Sequence, residues 1–530
     1  MRHRCAQARA KHSGVRRSYA RDAAECFAPT DGNILTYDDR PSRASRGNKI
    51  LGGMGLRILQ VVLADLPGSL YSSVMTTLAD PAARALTDET VKILQDLIRM
   101  NTSNPPGNES LAANFVANIL HQNGIEPTVI EMFPGRGNVV ARLKGNGNAA
   151  PLLLYSHTDV VPVEREKWSV DPFGGVIKDG YVYGRGALDM KGIGAAQLAV
   201  FLAIARAVGA KHASPLQRDI IFAMTADEET DTNQGIGPLT DAHPELLRAE
   251  YALSEFGGFS MYVGNKCFYP IQTAEKGTAW MRMIARGKPG HASVPHNENA
   301  VVYLARAVDK IGRAKLPMHM TATAQHFIGG LADGLGGAQG AALRALASSG
   351  MNEFALDAVL RDPNLLAELR AVTHNTVSPT GLRAGMKTNV IPSEATAVLD
   401  CRTLPGFDGE KMIEELEAVL GDDARHISFE LDSESPPAEF DFNTPLYKFI
   451  ATKLKQHDPN AIPIPMMMTG ATDAKHLIKL GTKCYGFSPM KFRPGEHFAE
   501  LVHGHDERVA IESLAWGVQV LHEVVAEFCG

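Results

Sequence analysis

Cysteine is scarce and scattered: Cys5, Cys26, Cys267, Cys401, Cys484 and Cys529 are the six in 530 residues, and no two form a Cys-x-x-Cys pair. That pattern excludes a disulfide framework and a thiolate zinc site as organising devices, and makes a reducing cytosol the simplest home. Long apolar runs are missing as well. Leu56 to Ala64 is too short and too interrupted to cross a bilayer, and no stretch reads as a signal peptide. Neither charge dominates: 53 basic against 59 acidic residues leave a formal net charge of -6, which marks neither nucleic acid nor an acidic membrane as a partner.

What is present is enough chain for more than one core. With 530 residues and 45% hydrophobic content, two domains plus extra segments are expected. Residues 1–80 read as an N-terminal extension, partly disordered. Residues 1–21 hold seven Arg and Lys with no acid before Asp22, and residues 29–53 lack apolar periodicity. The composition suits a transit peptide and equally an upstream extension before a start at Met54 or Met75.

The chemistry lies where apolar runs stop. Leu152-Leu-Leu-Tyr155 reads as a strand buried in a parallel sheet and leads into Ser156-His157-Thr-Asp159; Ile220-Ile-Phe-Ala-Met224 is a second such strand and leads into Asp227-Glu228-Glu229. A third, Tyr251-Ala-Leu-Ser254, ends in Glu255. A doubly wound sheet sets such strand ends side by side. Unpaired carboxylates resist burial but become sensible around a cation.

Each motif alone has a plainer reading. His157 and Asp159, spaced i and i+2, point to one face of an extended chain, so Asp159 can accept from the second nitrogen of a metal-bound His157; alone they are a hydrogen-bonded loop pair. Asp189, in Gly184-Arg-Gly-Ala-Leu-Asp-Met-Lys-Gly192 ahead of a helical pattern over Ala195–Ala207, is either a helix cap or a carboxylate bridging two metals about 3.5 to 4 Å apart. Glu228 and Glu229 are either a solvated acidic loop or a pair with one ligand and one group facing substrate. His503-Gly-His-Asp-Glu507 is a further candidate site near the C-terminus. Together the motifs favour metal.

In this order, with Gly290-His-Ala-Ser293 and Asn389-Val-Ile-Pro392 between them, the motifs resemble the co-catalytic zinc exopeptidases that include aminoacylase, glutamate carboxypeptidase, carboxypeptidase S and succinyl-diaminopimelate desuccinylase. The resemblance covers roughly residues 88–525. It implies an α/β fold: a doubly wound, mostly parallel sheet interrupted by a ferredoxin-like lid and dimerisation domain. It implies His157, Asp189 and Glu255 around one metal, and Asp189, Glu229 and His503 around the other, with His505 a weaker candidate than His503. Asp159 would orient His157. Glu228 would be the general base, taking a proton from a metal-bridging water and returning it to the leaving nitrogen.

The middle of the chain alternates like strands over Thr278–Arg286 and Glu394–Arg402 and carries helical spacing over Asn297–Arg313 and Asp408–Leu420, a pattern that suggests a ferredoxin-like module. The expected division is 81–273 as the first part of the catalytic domain, 274–435 as the lid with a helical insertion near 325–380, and 436–530 as the second part. The insertion, with His374 to Thr380 after it, most resembles the carboxypeptidase S branch. The resemblance assigns His291 to the tetrahedral oxyanion, reaching the site from the lid and possibly from a partner subunit, with Asn389 assisting. Arg402 would take the substrate carboxylate, which its planar fork suits, unless it merely closes a strand-edge ion pair. Gly470 would offer backbone groups to the same carboxylate.

The expectation is a hydrolase of an amide or peptide bond beside a carboxylate-bearing residue, acting on small peptides or N-acyl amino acids. The expected cofactor is two zinc ions, with cobalt or manganese able to fill the same site. A homodimer through the lid is expected, with no nucleic acid and no membrane span. A non-catalytic relative would lack a ligand or the base, and none is missing here. A phosphate-ester hydrolase would need more cations near the metals than Arg402 supplies.

Overall fold

The computed structural model describes residues 80–209, 215–230, 233–349 and 363–530. The expectations for the N-terminal extension, Met54 and Met75 included, lie outside them. A ten-stranded sheet runs in the order Thr128–Phe133, Arg136–Leu143, Arg218–Thr225, Ala149–His157, Tyr251–Ser254, Lys483–Gly486, Lys266–Glu275 and Ala438–Glu439, with Ala461–Met468 and Met261–Val263 also paired to Lys266–Glu275. Its centre is parallel: Ala149–His157 pairs in parallel with Arg218–Thr225 and Tyr251–Ser254, and Tyr251–Ser254 with Lys483–Gly486. The margins are antiparallel, except that Ala461–Met468 runs parallel to Lys266–Glu275.

The apolar runs explain the parallel centre. Leu152, Leu153 and Leu154 are fully buried and Tyr155 nearly so, as strands covered on both faces require. The register sets Leu152 opposite both Ile220 and Tyr251, and His157 opposite Thr225. Three strand ends carrying His157, Glu228–Glu229 and Glu255 therefore emerge at one edge. Helix Lys191–Val208 packs beneath them. It is long and apolar enough to cross a membrane, but most of it is buried inside this core. Its Gln197 amide donates to the carbonyls of Tyr155 (3.2 Å) and Leu253 (3.1 Å), pinning the helix to two of these strands. A side chain at Gly192 would meet the Ala187 carbonyl oxygen at 2.1 Å, so the close turn that carries Asp189 needs glycine there.

A second, four-stranded sheet has the order Thr376–Ala384, Glu394–Thr403, Gly277–Arg286, Ile427–Ser435, all antiparallel. Helices Ala300–Arg313 and Gly409–Leu420 bury Leu304, Ala307, Ile311, Met412 and Leu416 against the alternate residues Ala279, Met281, Met283, Ala395, Ala397 and Leu399. Strand order and connections are ferredoxin-like. Asn299 and Asp408 cap the two helices through their side chains, one residue before each helix, as such residues do.

The helical insertion packs differently from its place in the chain. Helices Ala322–Leu335, Gly337–Ser349 and Pro363–Thr373 bury Phe327, Ile328, Leu331, Leu343, Leu369 and Val372 against Phe268, Ile464, Met466 and Met467 of the large sheet. Leu404, from the segment expected to be the lid, joins the same cluster. The insertion's apolar faces complete the large sheet's far margin.

Candidate metal centre

His157 closes its strand with a fully buried ring. Its Nε2 stands 3.2 Å from Asp189 Oδ1, 3.4 Å from Glu255 Oε2 and 3.9 Å from Glu228 Oε2. On the other side of Asp189, His503 Nε2 is 3.2 Å from Asp189 Oδ2 and 3.2 Å from Glu229 Oε2. In each trio, His157, Asp189 and Glu255, and Asp189, Glu229 and His503, the ligand atoms lie within 4.8 Å of one another. Asp189 turns one oxygen to each histidine. Of the alternatives at the C-terminal motif, His503 joins the cluster, whereas His505 is exposed and hydrogen bonds to Glu164 at 3.0 Å.

Two buried carboxylates hold the cluster's backbone. Asp159 Oδ1 accepts the Glu228 N–H (3.1 Å) and faces His157 Nδ1 (3.4 Å), while its Oδ2 accepts the Glu229 N–H (3.0 Å). The other ring contact of His157, from Nδ1, is to the Asp159 carbonyl at 3.1 Å. Glu507 does the same work for the Asp189 turn. It accepts from the N–H groups of Gly186 (3.1 Å), Leu188 (2.8 Å) and Asp189 (3.2 Å) and pairs with Arg185 at 2.6 Å. The small sheet of Val176–Lys178, Tyr181–Tyr183 and Arg508–Ala510 brings the two segments together. Glu507 thus shapes the site without joining either trio.

The electrostatics call for cations. Burial, with Asp189 and Asp473 nearby, pushes the Glu255 carboxyl up to about 8 against the counter-pull of His157. Burial and the charge of Glu255 raise Glu228 well above the carboxylate range, and burial raises Glu229. Desolvation would lower His157, yet Glu255, Asp159 and Asp189 hold it well above the usual imidazole value. Hydrogen bonds to the carboxylates of Asp189 and Glu229 lift His503 to about 10. Acids crowded in low dielectric favour any positive charge among them. Among the described residues, buried oxygens of Glu229 (Oε1) and Glu255 (Oε1) have no hydrogen-bond partner, and oxygens so placed suit metal ligation. The donor set of two imidazoles and three carboxylates fits a pair of divalent ions of the zinc, cobalt or manganese kind.

Glu228 belongs to neither trio. Four further residues named from the sequence make contacts of their own outside the two trios. His291 and Asn389 sit together on the two-stranded ladder Gly290–His291 with Val390–Ile391, both exposed; the Ala292 N–H donates to the Asn389 carbonyl (3.1 Å) and His291 Nδ1 bonds Ser293. Arg402 forks onto Asp400, with Nε to Oδ1 at 2.7 Å and Nη2 to Oδ2 at 3.0 Å, so the strand-edge ion pair weighed for it exists. Gly470 lies on a loop tied down by two buried acids: Glu275 Oε2 accepts from the Thr472 N–H (3.1 Å) and hydroxyl (2.5 Å), and Asp473 accepts from the Tyr155 hydroxyl. Tyr155 OH also meets Thr225 Oγ1 at 2.7 Å. Tyr155, Glu275 and Asp473 carried no sequence signal beyond their nearness to the motifs.

The sequence profile of peptidase family M20/M25/M40 matches residues 153–527. Aminoacylase-1 of Sus scrofa is 28% identical over 443 residues, covering 82% of this chain and 94% of its own length. A probable carboxypeptidase S-like 2 of Dictyostelium discoideum is 28% identical over 377 residues, 68% of this chain and 69% of its own. In fold the chain is similar to an M20 family metallo-carboxypeptidase from Sulfolobus solfataricus, with TM-score 0.62 and 18% identity over 83% of this chain and 98% of that one. The chain belongs to peptidase family M20/M25/M40 and is a metal-dependent hydrolase of an amide or peptide bond.

Proposed function

We propose that the enzyme holds two zinc ions, one on His157, Asp189 and Glu255 and one on Asp189, Glu229 and His503, and removes an amino acid with a free carboxylate from a small peptide or an N-acyl amino acid. One observation carries the reading: two ligand trios share Asp189, with the unligated carboxylate of Glu228 beside them. The ions, when bound, supply Lewis acidity to a water and to the scissile carbonyl. Glu228 accepts a proton as the water oxygen bonds to the carbonyl carbon, then gives it to the nitrogen as the C–N bond breaks, yielding a carboxylic acid and an amine.

The lid would supply the remaining groups. His291, assisted by Asn389, would donate to the developing oxyanion, an effect worth about 3–4 kcal/mol in other hydrolases. Both are exposed on one ladder, which suits residues that meet the site on lid closure or from a second subunit of a homodimer formed through residues 274–435. Arg402 would exchange its Asp400 fork for the substrate carboxylate, and the Gly470 loop would complete that subsite. The described cysteines, Cys267, Cys401, Cys484 and Cys529, are buried and unpaired, which fits a cytosolic enzyme.

The test is hydrolysis of dipeptides and N-acyl amino acids, with free and amidated C-termini, by metal-stripped protein before and after zinc is restored. Zinc-dependent release of free amino acid from the free-carboxylate set is expected. Silence across the panel with two metals bound per chain would overturn the substrate class.

A further inference from the structure

We propose that Asn104 is a positioning residue of the metal centre: its side-chain amide locks Asp159, and through Asp159 it sets both the His157 ring and the backbone that presents Glu228 and Glu229. The inference rests on the metal assignment above and extends it to a residue from a distant loop. Asn104 is 1% exposed. Its Nδ2 donates to Asp159 Oδ2 at 2.9 Å and to Asp227 Oδ1 at 3.1 Å, and its Oδ1 accepts from Arg136 Nη2 at 2.9 Å.

The environment fixes which way the amide points. Arg136 offers only donors and the two carboxylates only acceptors, so a flipped amide would face like against like on both sides. Arg136 is held in turn by Glu109 (Nη1 to Oε1, 2.5 Å), by Gln234 (Nε to Oε1, 3.2 Å) and by Asp227 (3.5 Å). The loop is fastened to the strand that carries the site. The Asn104 N–H donates to the Val160 carbonyl (2.9 Å), the Val160 N–H to Thr102 (3.2 Å), and the Thr102 hydroxyl to the Thr158 carbonyl (2.6 Å).

Removing the amide would do two things. Asp159 Oδ2 would keep only the Glu229 N–H, leaving its plane free to turn away from His157 Nδ1. Asp159 and Asp227, two buried acids now bridged by one NH₂ group, would face each other without a bridge, and repulsion would push Asp159 out of place. Partners that orient a metal ligand, as Asp159 does for His157, typically change metal affinity or activity 10- to 100-fold when lost, and displacing Asp159 by removing Asn104 is expected to fall within that range.

The experiment compares Asn104→Ala and Asn104→Asp with the parent full-length protein. Asn104→Asp keeps the shape and the Arg136 contact but cannot donate from its carboxylate, so it separates the hydrogen bond from packing. Zinc affinity is measured by competition with a chromophoric chelator, thermal stability is followed on the metal-free proteins, and kcat and KM are measured at saturating zinc. The expected result is zinc affinity about 10- to 100-fold weaker in both variants, with kcat lowered and KM little changed once zinc is saturating. Lower stability with parental zinc affinity and kcat in either variant would reduce Asn104 to a structural residue and overturn the proposal. Failure of the parent protein to bind zinc would instead overturn the metal assignment.

Discussion

The two halves of the metal centre differ in how much protein surrounds them. The His157 trio is wholly enclosed: His157 is 0% exposed, Glu255 4% and Asp189 5%. The other trio has buried acids but a His503 side chain that is 49% exposed, on a loop where His503 takes a positive φ of 59°. One histidine is cut from a strand end in the middle of a parallel sheet, and the other is delivered by a surface turn. The contrast teaches that the first pocket is part of the fold's interior and the second is assembled upon it. Two buried carboxylates clamp the centre as a whole: Asp159 holds His157 and the Glu229 backbone, one residue of each trio, and Glu507 holds the turn of the shared Asp189.

The sharpest test of this comparison uses Glu228, an acid beside both pockets that belongs to neither. Glu228→Ala should lower kcat by about 10⁴-fold, the upper range for a lost general base, while metal analysis still finds two ions per chain; loss of an ion would place Glu228 among the ligands. Next in size is the contrast between the histidines. In metal-free protein, His157→Ala should cost about 3–5 kcal/mol in urea unfolding, because Asp159 and Asp189, buried acids held in their charged form by the His157 ring, lose that partner. His503→Ala should cost at most about 1 kcal/mol, as exposed pairs do. Equal costs would erase the distinction between interior and assembled pockets.

A smaller effect concerns the clamp. Glu507→Gln, which weakens the grip on three N–H groups and on the Arg185 side chain, itself 3% exposed, should destabilise by about 1–3 kcal/mol and loosen binding at both pockets, since Asp189 serves both. Chelator titration showing a change at only one would limit Glu507 to that side. The smallest effect lies outside both pockets. Arg402→Ala should raise KM for free-carboxylate substrates about tenfold, within the 1.5–3 kcal/mol of a hydrogen bond to a charged group, and spare amidated analogues. Equal losses on both would leave Arg402 with only its Asp400 pair.

Much of this was legible because the signals are local. Leu152–Tyr155, Ile220–Met224 and Tyr251–Ser254 are short apolar runs ended by polar residues, and all three lie in strands. What stayed hidden depends on distant contacts. Strand Thr376–Ala384 carries Pro379 and a register shift between Pro379 and Gly381, features tolerated on an edge strand but poor as a strand signal. Strand Ile427–Ser435 buries only Ser435, so it offers no clean alternation. The insertion's glycine- and alanine-rich helices are amphipathic, but nothing local says which sheet their faces will meet. Asn104 meets Asp159 and Asp227 across 55 and 123 residues, and no window of sequence brings them together.

Because Asp189 presents a different oxygen to each histidine, ions held as proposed in the two pockets would be thermodynamically linked. Whatever filling one pocket does to the affinity of the other, the reverse order must do equally, since both sequences end in the same doubly loaded protein. The enzyme's response to scarce metal would therefore be a property of the pair, with the singly loaded protein populated according to the sign and size of that shared coupling.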